Sequence, residues 1–289
     1  MKRLVLFFSV WCLPVQAADE FRHDSTIAMR MDDENFGGFS SLEVADDGMS
    51  FLATSDRGNL LSGQIVREGG RMTALENLAL SPIRDTKGEP LDGLHEDAEG
   101  LAVSGSGAIF MSFEGNHRVM EQPTADDLPV FVPKHPDFRS LINNSGLEAL
   151  AIDQNDVLYA IPERSGAFGK PFPVYRFVDG AWNTDWKISR QGSFLVVGAD
   201  IFDGQLYVLE RDFSGLFGFA SRIRRFDIET MSLEGETLLT TASGRFDNLE
   251  GISVWRTPEG ELRVVLISDD NFRFYQRNQM VEMVLEGQY

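Results

Sequence analysis

Short apolar segments, separated by turn-forming residues, recur along the chain. In the clearest example, Leu101–Val103 and Ala108–Phe113 flank a Gly-Ser-Gly turn, a pattern that predicts a β-hairpin. Four related stretches begin at Ser40, Ser145, Val196 and Asp247. The repeat length is therefore about 50 residues.

Each repeat contains a series of short apolar segments of strand length. In the first repeat they are Ser41–Ala45, Phe51–Ser55, Leu60–Glu68 and Met72–Leu80. In the last repeat they are Leu249–Trp255, Arg263–Ile267, Phe272–Gln276 and Met280–Leu285. No stretch keeps a helical period of 3.6 residues over several turns, so we expect few helices.

Four antiparallel strands in every repeat are typical of a β-propeller blade. The sequence therefore predicts an all-β fold, a β-propeller of about five four-stranded antiparallel blades. A sixth blade, built from the N-terminal strand and a long loop, is the alternative. The extended segment Phe21–Asp32 is expected to close the structure by pairing with the C-terminal strands. A β-sandwich would give no reason for a repeated acidic position.

The composition is that of a folded domain with an acidic surface. Of the 289 residues, 43% are hydrophobic and 25% are charged, and the formal net charge is −19. Such a charge disfavours nucleic acid as a partner, because a phosphodiester backbone selects basic surfaces. It is compatible with cation binding, or with charges that are simply solvated.

The segment Met1–Ala17 has the features of a signal peptide. Lys2 and Arg3 precede the apolar run Leu4–Leu13, and Val15–Ala17 forms a small-residue cleavage site. We therefore expect residues 18–289 to form one mature domain that is periplasmic or secreted. No apolar run is long enough to predict a membrane span, and the domain is expected to be a monomer.

Acidic residues recur where the first predicted strand of each repeat begins and where the second ends. The first set comprises Glu43, Glu99, Glu148, Asp200 and Glu250. The second set comprises Asp56, Glu114, Glu163, Glu210 and the pair Asp269 and Asp270. Because antiparallel neighbours bring these positions together, the sequence predicts two concentric sets of carboxylates at one mouth of the central channel.

Arginines follow the second set, and two interpretations remain open. In one, each arginine pairs with a carboxylate and ties the blades together. In the other, the excess of carboxylates is neutralised by a bound cation. Calcium takes about 6–8 oxygen ligands and suits a ring of carboxylates, whereas zinc prefers cysteine and histidine. The candidate metal ligands are Glu43, Glu99, Glu114, Glu148, Glu163 and Glu250.

Four residues are candidates for a catalytic role beside the carboxylates. Arg57, Arg118 and Arg164 could hold an anionic group, and His95 could move a proton, although a histidine in a loop is often only solvated. The phenylalanine-rich segment Phe213–Phe219 is expected to pack between blades; covering the mouth is the alternative.

The acidic hairpins resemble those of the phytase-like family, also described by the esterase-like activity of phytase. The motifs that carry the resemblance are Glu99–Glu114, Glu148–Glu163, Ser55–Gly58, Asn248–Gly251, Glu210–Phe213 and Ser268–Phe272. The resemblance implies a β-propeller and, by kinship with calcium-dependent propeller phytases, a hydrolase acting on a small phosphate-bearing substrate. It also implies that Glu99, Glu114, Glu148 and Glu163 face a metal-lined channel.

Two other classes of function remain open. A lactonase or carboxylesterase reaction would use the same kind of calcium site. A non-catalytic propeller that binds a ligand or a protein would need only the surface. The sequence contains none of the common nucleophile, P-loop, zinc-protease or dinucleotide motifs.

Overall fold

A computed structural model describes residues 19–141 and 146–287. The predicted signal peptide lies outside the described residues, so its cleavage stays a prediction. The described chain forms twenty β-strands and three short 3₁₀ helices, Gly93–His95, Pro136–Ser140 and Gly215–Phe217, with no α-helix in these ranges. No helix among the described residues has the length and apolar character needed to cross a membrane.

The strands form five four-stranded antiparallel sheets, the blades of a β-propeller. Blade 1 contains β2 (Phe39–Val44), β3 (Ser50–Ser55), β4 (Asn59–Glu68) and β5 (Arg71–Pro82). Blade 2 contains β6 (Ala98–Val103), β7 (Ile109–Phe113), β8 (Arg118–Gln122) and β9 (Val130–Phe131). Blade 3 contains β10 (Ala149–Ile152), β11 (Leu158–Ile161), β12 (Phe172–Val178) and β13 (Ala181–Ile188). Blade 4 contains β14 (Leu195–Phe202), β15 (Gln205–Phe213), β16 (Phe219–Asp227) and β17 (Glu236–Thr240). Blade 5 contains β18 (Asn248–Arg256), β19 (Leu262–Asp269), β20 (Gln279–Glu286) and β1 (Glu20–Ala28).

The two ends of the chain meet in blade 5. Strand β1 pairs with β20 from Glu20 opposite Glu286 to Ala28 opposite Gln279, which confirms the predicted closure. The prediction that Phe272–Gln276 forms a strand was wrong, because this segment is a loop and β1 supplies the fourth strand. Five blades, rather than six, complete the ring.

The hydrophobic core is divided among the five blade interfaces. Each of five clusters of buried apolar side chains joins two neighbouring blades, as where Val197 of blade 4 packs with Ile252 of blade 5. Burying the apolar faces of adjacent sheets against each other is what holds a propeller together.

The inner strands approach one another so closely that the axis is nearly filled. A Cβ atom on Gly251 would lie 2.7 Å from the backbone carbon of Ser41, and one on Gly198 would lie 2.4 Å from the carbonyl oxygen of Glu250. A void of about 10 Å³ lies between the inner strands. The ends of the axis therefore form two separate mouths. We call the end at which each first strand begins the site face, and the other end the opposite face.

Candidate functional site

One position from each blade lies near the axis at the site face. In four blades the first strand carries a β-bulge near its start, and the bulged residue is Ser40, Glu99, Val197 or Glu250. In blade 3 the same place belongs to Glu148, which immediately precedes Ala149, the first paired residue of β10. A bulge redirects a side chain out of the regular alternation of a strand. We call these five places the inner positions, and three of them are glutamates.

A second set of side chains follows the second strand of each blade. Counted from the paired residues beside each bulge, the equivalent places are Asp56, Glu114, Glu163, Arg211 and Asp269. We call them the outer positions. Four are acidic, as predicted, and the fifth is an arginine.

The tightest group of carboxylates lies in blade 2. One oxygen from each of Asp97, Glu99 and Glu114 lies within 4.8 Å of the other two, so the three residues can hold a metal ion. Glu99 is 9% exposed and makes no hydrogen bond within the described residues. Burial, followed by the charges of Glu148 and Asp97, raises the pKa of Glu99 well above its usual range.

The neighbouring carboxylates are perturbed in the same direction. Burial raises the pKa of Glu114 to about 7, although a hydrogen bond from the backbone N–H of Gly146 at 3.1 Å acts to lower it. Burial and the charge of Glu250 raise the pKa of Asp269 to about 8. The pKa of Glu148 is also raised by burial and by Glu114 and Glu163. Such a cluster favours either bound protons or a bound cation.

Arg211 interrupts the acidic ring. Its guanidinium group donates to Glu250 and to the amide oxygen of Asn248 at 2.7 Å, and it lies 3.6 Å from Glu163. It thus joins blade 4 to both neighbouring blades. The interpretation in which arginines tie the ring together holds at this residue, but no such pair neutralises Glu99.

A cleft of about 1210 Å³ opens from the ring over blades 4 and 5. Glu163, Arg211 and Asn248 are shared between the ring and this cleft. Four exposed arginines also line it, namely Arg164, Arg245, Arg273 and Arg277. Among the described residues, Arg245, Arg273 and Arg277 form no ion pair with a carboxylate. We call this region the arginine cleft, and its charge is suited to an anionic ligand.

Two members of the predicted inner set lie elsewhere. Glu43 pairs with Leu52, near the end of β2, so it lies at the opposite face and not beside Asp56. Asp200 likewise pairs with Tyr207 near the end of β14. Burial and the charge of Asp200 raise the pKa of Glu43 well above its usual range. Glu43 was therefore wrongly grouped with the other candidate ligands.

The outer position assigned to Glu210 was also wrong. This residue is completely buried and accepts hydrogen bonds from Arg222 at 2.6 Å and from Arg224 at 2.9 Å. The side chain points away from the mouth because the adjacent residue, Arg211, occupies the outer position. Glu210 has a structural role between strands β15 and β16.

The four candidate catalytic residues all lie at the site face but in different environments. Arg164 lines the arginine cleft and pairs with Glu163 at 3.0 Å. Arg57 stacks on the ring of Phe272 at 3.3 Å. Arg118 is buried over Phe113 and donates to the carbonyl oxygens of Gly115 and His95.

Burial lowers the pKa of Arg118 to about 10, and its hydrogen bonds fix two loops. The imidazole of His95 is exposed on a 3₁₀ helix. A proton-transfer role for His95 stays a prediction.

The sequence contained a signal that identifies the correct inner positions. Ala45, Ser104 and Asp153 begin equivalent turns, in which the backbone N–H of each bonds to the carbonyl of the residue that closes the hairpin. Aligning the repeats on these turns places Ser40 and Glu99 in register. Aligning them on acidic residues shifted blades 1 and 4 by three positions. Because of this shift, the outer position of blade 4 was assigned to Glu210 and not to Arg211.

Comparisons with known proteins found structural neighbours and a family match. The chain matches no curated protein sequence. Similar structures include the PQQ-bound aldose sugar dehydrogenase of Streptomyces coelicolor (12% identity, 91% and 98% of the two chains covered, TM-score 0.48). They also include the RRP9 WD40 repeats (11% identity, 92% and 100% covered, TM-score 0.49). Residues 34–272 match the family model for phytase-like proteins, described as esterase-like activity of phytase. The chain belongs to this phytase-like family.

Proposed function

We propose that this protein is a calcium-dependent hydrolase of phosphate esters whose site is the acidic ring together with the arginine cleft. The observation that carries the proposal is that two regions of opposite charge share residues. Three carboxylates within 4.8 Å of one another lie in blade 2 of the ring, and Glu163 and Arg211 of the same ring also line a cleft with exposed arginines. A phosphate ester held between a cation and arginines requires this kind of arrangement.

The donor set fits a hard cation. Asp97, Glu99 and Glu114 offer only oxygen atoms, and no cysteine or histidine belongs to the group. Glu148 lies close enough to raise the pKa of Glu99, so a further carboxylate is at hand. Oxygen ligands in a flexible arrangement are those that calcium prefers. A bound Ca²⁺ would supply charge neutralisation for a phosphoryl group and a lowered pKa for a water molecule.

The arginine cleft supplies the other half of the chemistry. Arg245, Arg273 and Arg277 are exposed and have no carboxylate partner among the described residues, so a phosphoryl group meets no competing ion pair. Arg211 stands between this cleft and the carboxylates, and its pairs with Glu250 and Glu163 fix its position. It can therefore orient a phosphoryl oxygen without rearrangement, which is the advantage of a preorganised site.

The test is an assay of the purified protein against phosphomonoesters, phosphodiesters and lactones, with calcium and with a chelator. We expect turnover of a phosphate ester that the chelator abolishes. Arg245→Gln and Arg273→Gln should each raise KM by about tenfold, because each removes a charge-assisted contact. Arg256→Gln is the matched control, since Arg256 pairs with Asp203 at the opposite face.

Other outcomes would change the assignment. Calcium-dependent turnover of lactones alone would make the protein a carboxylester hydrolase on the same carboxylates. No turnover of any class would favour a binding propeller. Equal effects of Arg245→Gln and Arg256→Gln would remove the arginine cleft from the site.

We further propose that the protein acts outside the cytoplasm, as a monomer. The proposal is supported by the segment Met1–Ala17, whose charged start and apolar run are typical of a signal peptide. Expression of the full chain should give a protein whose N-terminus, read by Edman degradation, is Ala18. A cytoplasmic product that retains Met1 would contradict export.

A further inference from the structure

The most exposed large apolar side chains of this protein lie on one face, while five others, which are 46–58% exposed, lie elsewhere. Seven large apolar residues are 61–102% exposed, namely Leu94, Phe168, Phe213, Leu216, Phe217, Phe274 and Tyr275. Phe213 is the last residue of β15, and the other six lie in the loops of the site face between β5 and β6, β11 and β12, β15 and β16, or β19 and β20. We call them the apolar rim. Single exposed apolar residues are common, but a set confined to one face marks an interaction surface.

The segment Phe213–Phe219 shows that the rim is not a by-product of blade packing. The sequence favoured aromatic packing between blades here, and that expectation was wrong. Phe213 stacks on Phe219 at 4.9 Å, but Leu216 and Phe217 project from a 3₁₀ helix at the edge of the cleft. No described residue covers them.

The rim encloses positive charge. Arg273 and Arg277 lie in the same loop as Phe274, and Arg245 lines the cleft together with Leu216. None of the three arginines is paired with a carboxylate among the described residues. Unpaired arginines are unexpected on a chain with a net charge of −19. The rim therefore complements a ligand that combines an anionic group with an extended apolar body.

We infer that the site face docks on a lipid bilayer, and that the phosphate ester it acts on is carried by a lipid. The apolar rim would enter the headgroup region, as aromatic and leucine side chains do at membrane interfaces. The arginines would then meet the headgroup phosphates. A second copy of the chain fits less well, because it would bring equal arginines together and two strongly acidic molecules into contact. The substrate class in this inference rests on the proposed function; the docking does not.

The test is partition of the protein onto phosphatidylcholine vesicles, measured by co-sedimentation in the presence of a chelator and without substrate. Phosphatidylcholine carries the phosphate without net charge, so the acidic chain is not repelled. The double variant Phe217→Ser, Phe274→Ser should lower the partition coefficient by about tenfold or more. The matched control Val130→Ser, Phe131→Ser changes two exposed residues of β9 and should change it less than about twofold.

A second measurement reports the depth of insertion. Phe274→Trp should give a fluorescence blue shift on vesicle binding and quenching by brominated lipid, whereas Val130→Trp should give neither. Unchanged melting temperatures would show that all these variants fold, since every substituted side chain is exposed.

Three results would overturn the inference. The first is no partition of the unmodified protein. The second is an equal fall in the partition coefficient for the two double variants, the one at Phe217 and Phe274 and the one at Val130 and Phe131. The third is self-association that the Phe217, Phe274 variant abolishes while vesicles are not bound, which would assign the rim to a contact between copies. Vesicle binding without phosphatase activity would leave the docking intact and remove the proposed hydrolase.

Discussion

The two ends of the propeller axis both hold buried carboxylates, but the groups that contact them differ. At the opposite face, Asp200 accepts hydrogen bonds from the backbone N–H groups of Val254 and Ile201, each at 2.6 Å. At the site face, Glu99 makes no hydrogen bond among the described residues and faces Asp97 and Glu114. A carboxylate whose oxygens are satisfied by the backbone stabilises the fold. One that faces other carboxylates is available to a cation.

The cavities at the two ends differ in the same sense. The opposite-face cavity, of about 680 Å³, is lined by Glu43, Asp46 and Asp153 and by no lysine or arginine. The arginine cleft at the site face is lined by arginines as well as acids. Of these two cavities, the arginine cleft is the one whose charge suits an anionic ligand. Acidic residues near an axis do not by themselves identify a functional site; their partners do.

The largest effect is expected from Asp200→Ala. The substitution leaves the buried N–H of Val254 without its acceptor and creates a small cavity, so the free energy of unfolding should fall by about 3 kcal/mol. Urea denaturation with and without calcium measures it. The loss should be the same in both conditions. A loss that appears only with calcium would make Asp200 a ligand and erase the difference between the two ends.

Arg211→Met is expected to have the next largest effect. It keeps the apolar stem but removes the charge that faces Glu250 and Glu163, so at pH 8 the free energy of unfolding should fall by about 2 kcal/mol. At pH 5 the loss should be smaller, because burial raises the pKa of Glu250 above its usual range, so this carboxyl group binds a proton more readily as the pH falls.

Arg273→Met is the control for Arg211→Met, since Arg273 is exposed and, among the described residues, its guanidinium group hydrogen-bonds only to the hydroxyl of Tyr275, at 3.0 Å. We expect it to change stability by less than about 0.5 kcal/mol. Equal losses for Arg211→Met at both pH values would show that Arg211 acts through packing and not through charge.

The difference between the two ends also explains which features of the fold and the site could be predicted from the sequence. The repeat of four strands predicted the blades, because apolar alternation and turn residues are local signals. The inner positions in blades 2, 3 and 5 were found because Glu99, Glu148 and Glu250 each stand just before a small residue at a strand start. Glu43 instead precedes Val44 and lies only two residues before the turn at Ala45, a difference that becomes visible when the repeats are aligned on their turns.

Two other features depended on tertiary structure. Phe272–Gln276 has the composition of a strand, but the strand position is taken by β1, whose pairing with β20 joins distant parts of the sequence. The place of Arg211 in the ring depends on the hairpin register of blade 4, where β14 carries a bulge at Val197. Local sequence does not determine such registers; packing of neighbouring blades does.

Calcium should stabilise the protein through the site face alone. At ten times Kd, a ligand specific for the native state adds about 1.4 kcal/mol to the free energy of unfolding. Glu99→Gln and Glu148→Gln should abolish this gain while leaving the metal-free protein as stable or more stable, because like-charge repulsion is relieved. Differential scanning fluorimetry with calcium and with chelator measures both quantities.

Glu43→Gln is the matched control for the calcium measurement, since Glu43 is a half-buried carboxylate at the opposite face. It should leave the calcium-dependent gain intact. If Glu99→Gln instead destabilises the protein equally with and without calcium, the ring is a structural network and binds no cation.

The smallest expected effect is the pH dependence of the metal-free protein. Burial raises the pKa of Glu114 to about 7 in the folded state, above its usual value of 4.5. Both states are protonated below pH 4.5, so the contribution to stability is complete there. It is lost as the pH rises through 7, because the unfolded chain ionises first. The loss at Glu114 should reach about 1 kcal/mol by pH 8, since coupling to Glu148 spreads the titration over several groups.

Glu114→Gln should match the unmodified protein in stability at pH 5 and exceed it at pH 8. Glu68→Gln, at an exposed position of the opposite face, should follow the unmodified protein throughout. Chemical denaturation at each pH, in the presence of a chelator, measures the free energy of unfolding of all three proteins. A stability that rises from pH 5 to pH 8 would mean that the carboxylates of the site face are already neutralised within the protein, which would leave no charge for a cation to balance.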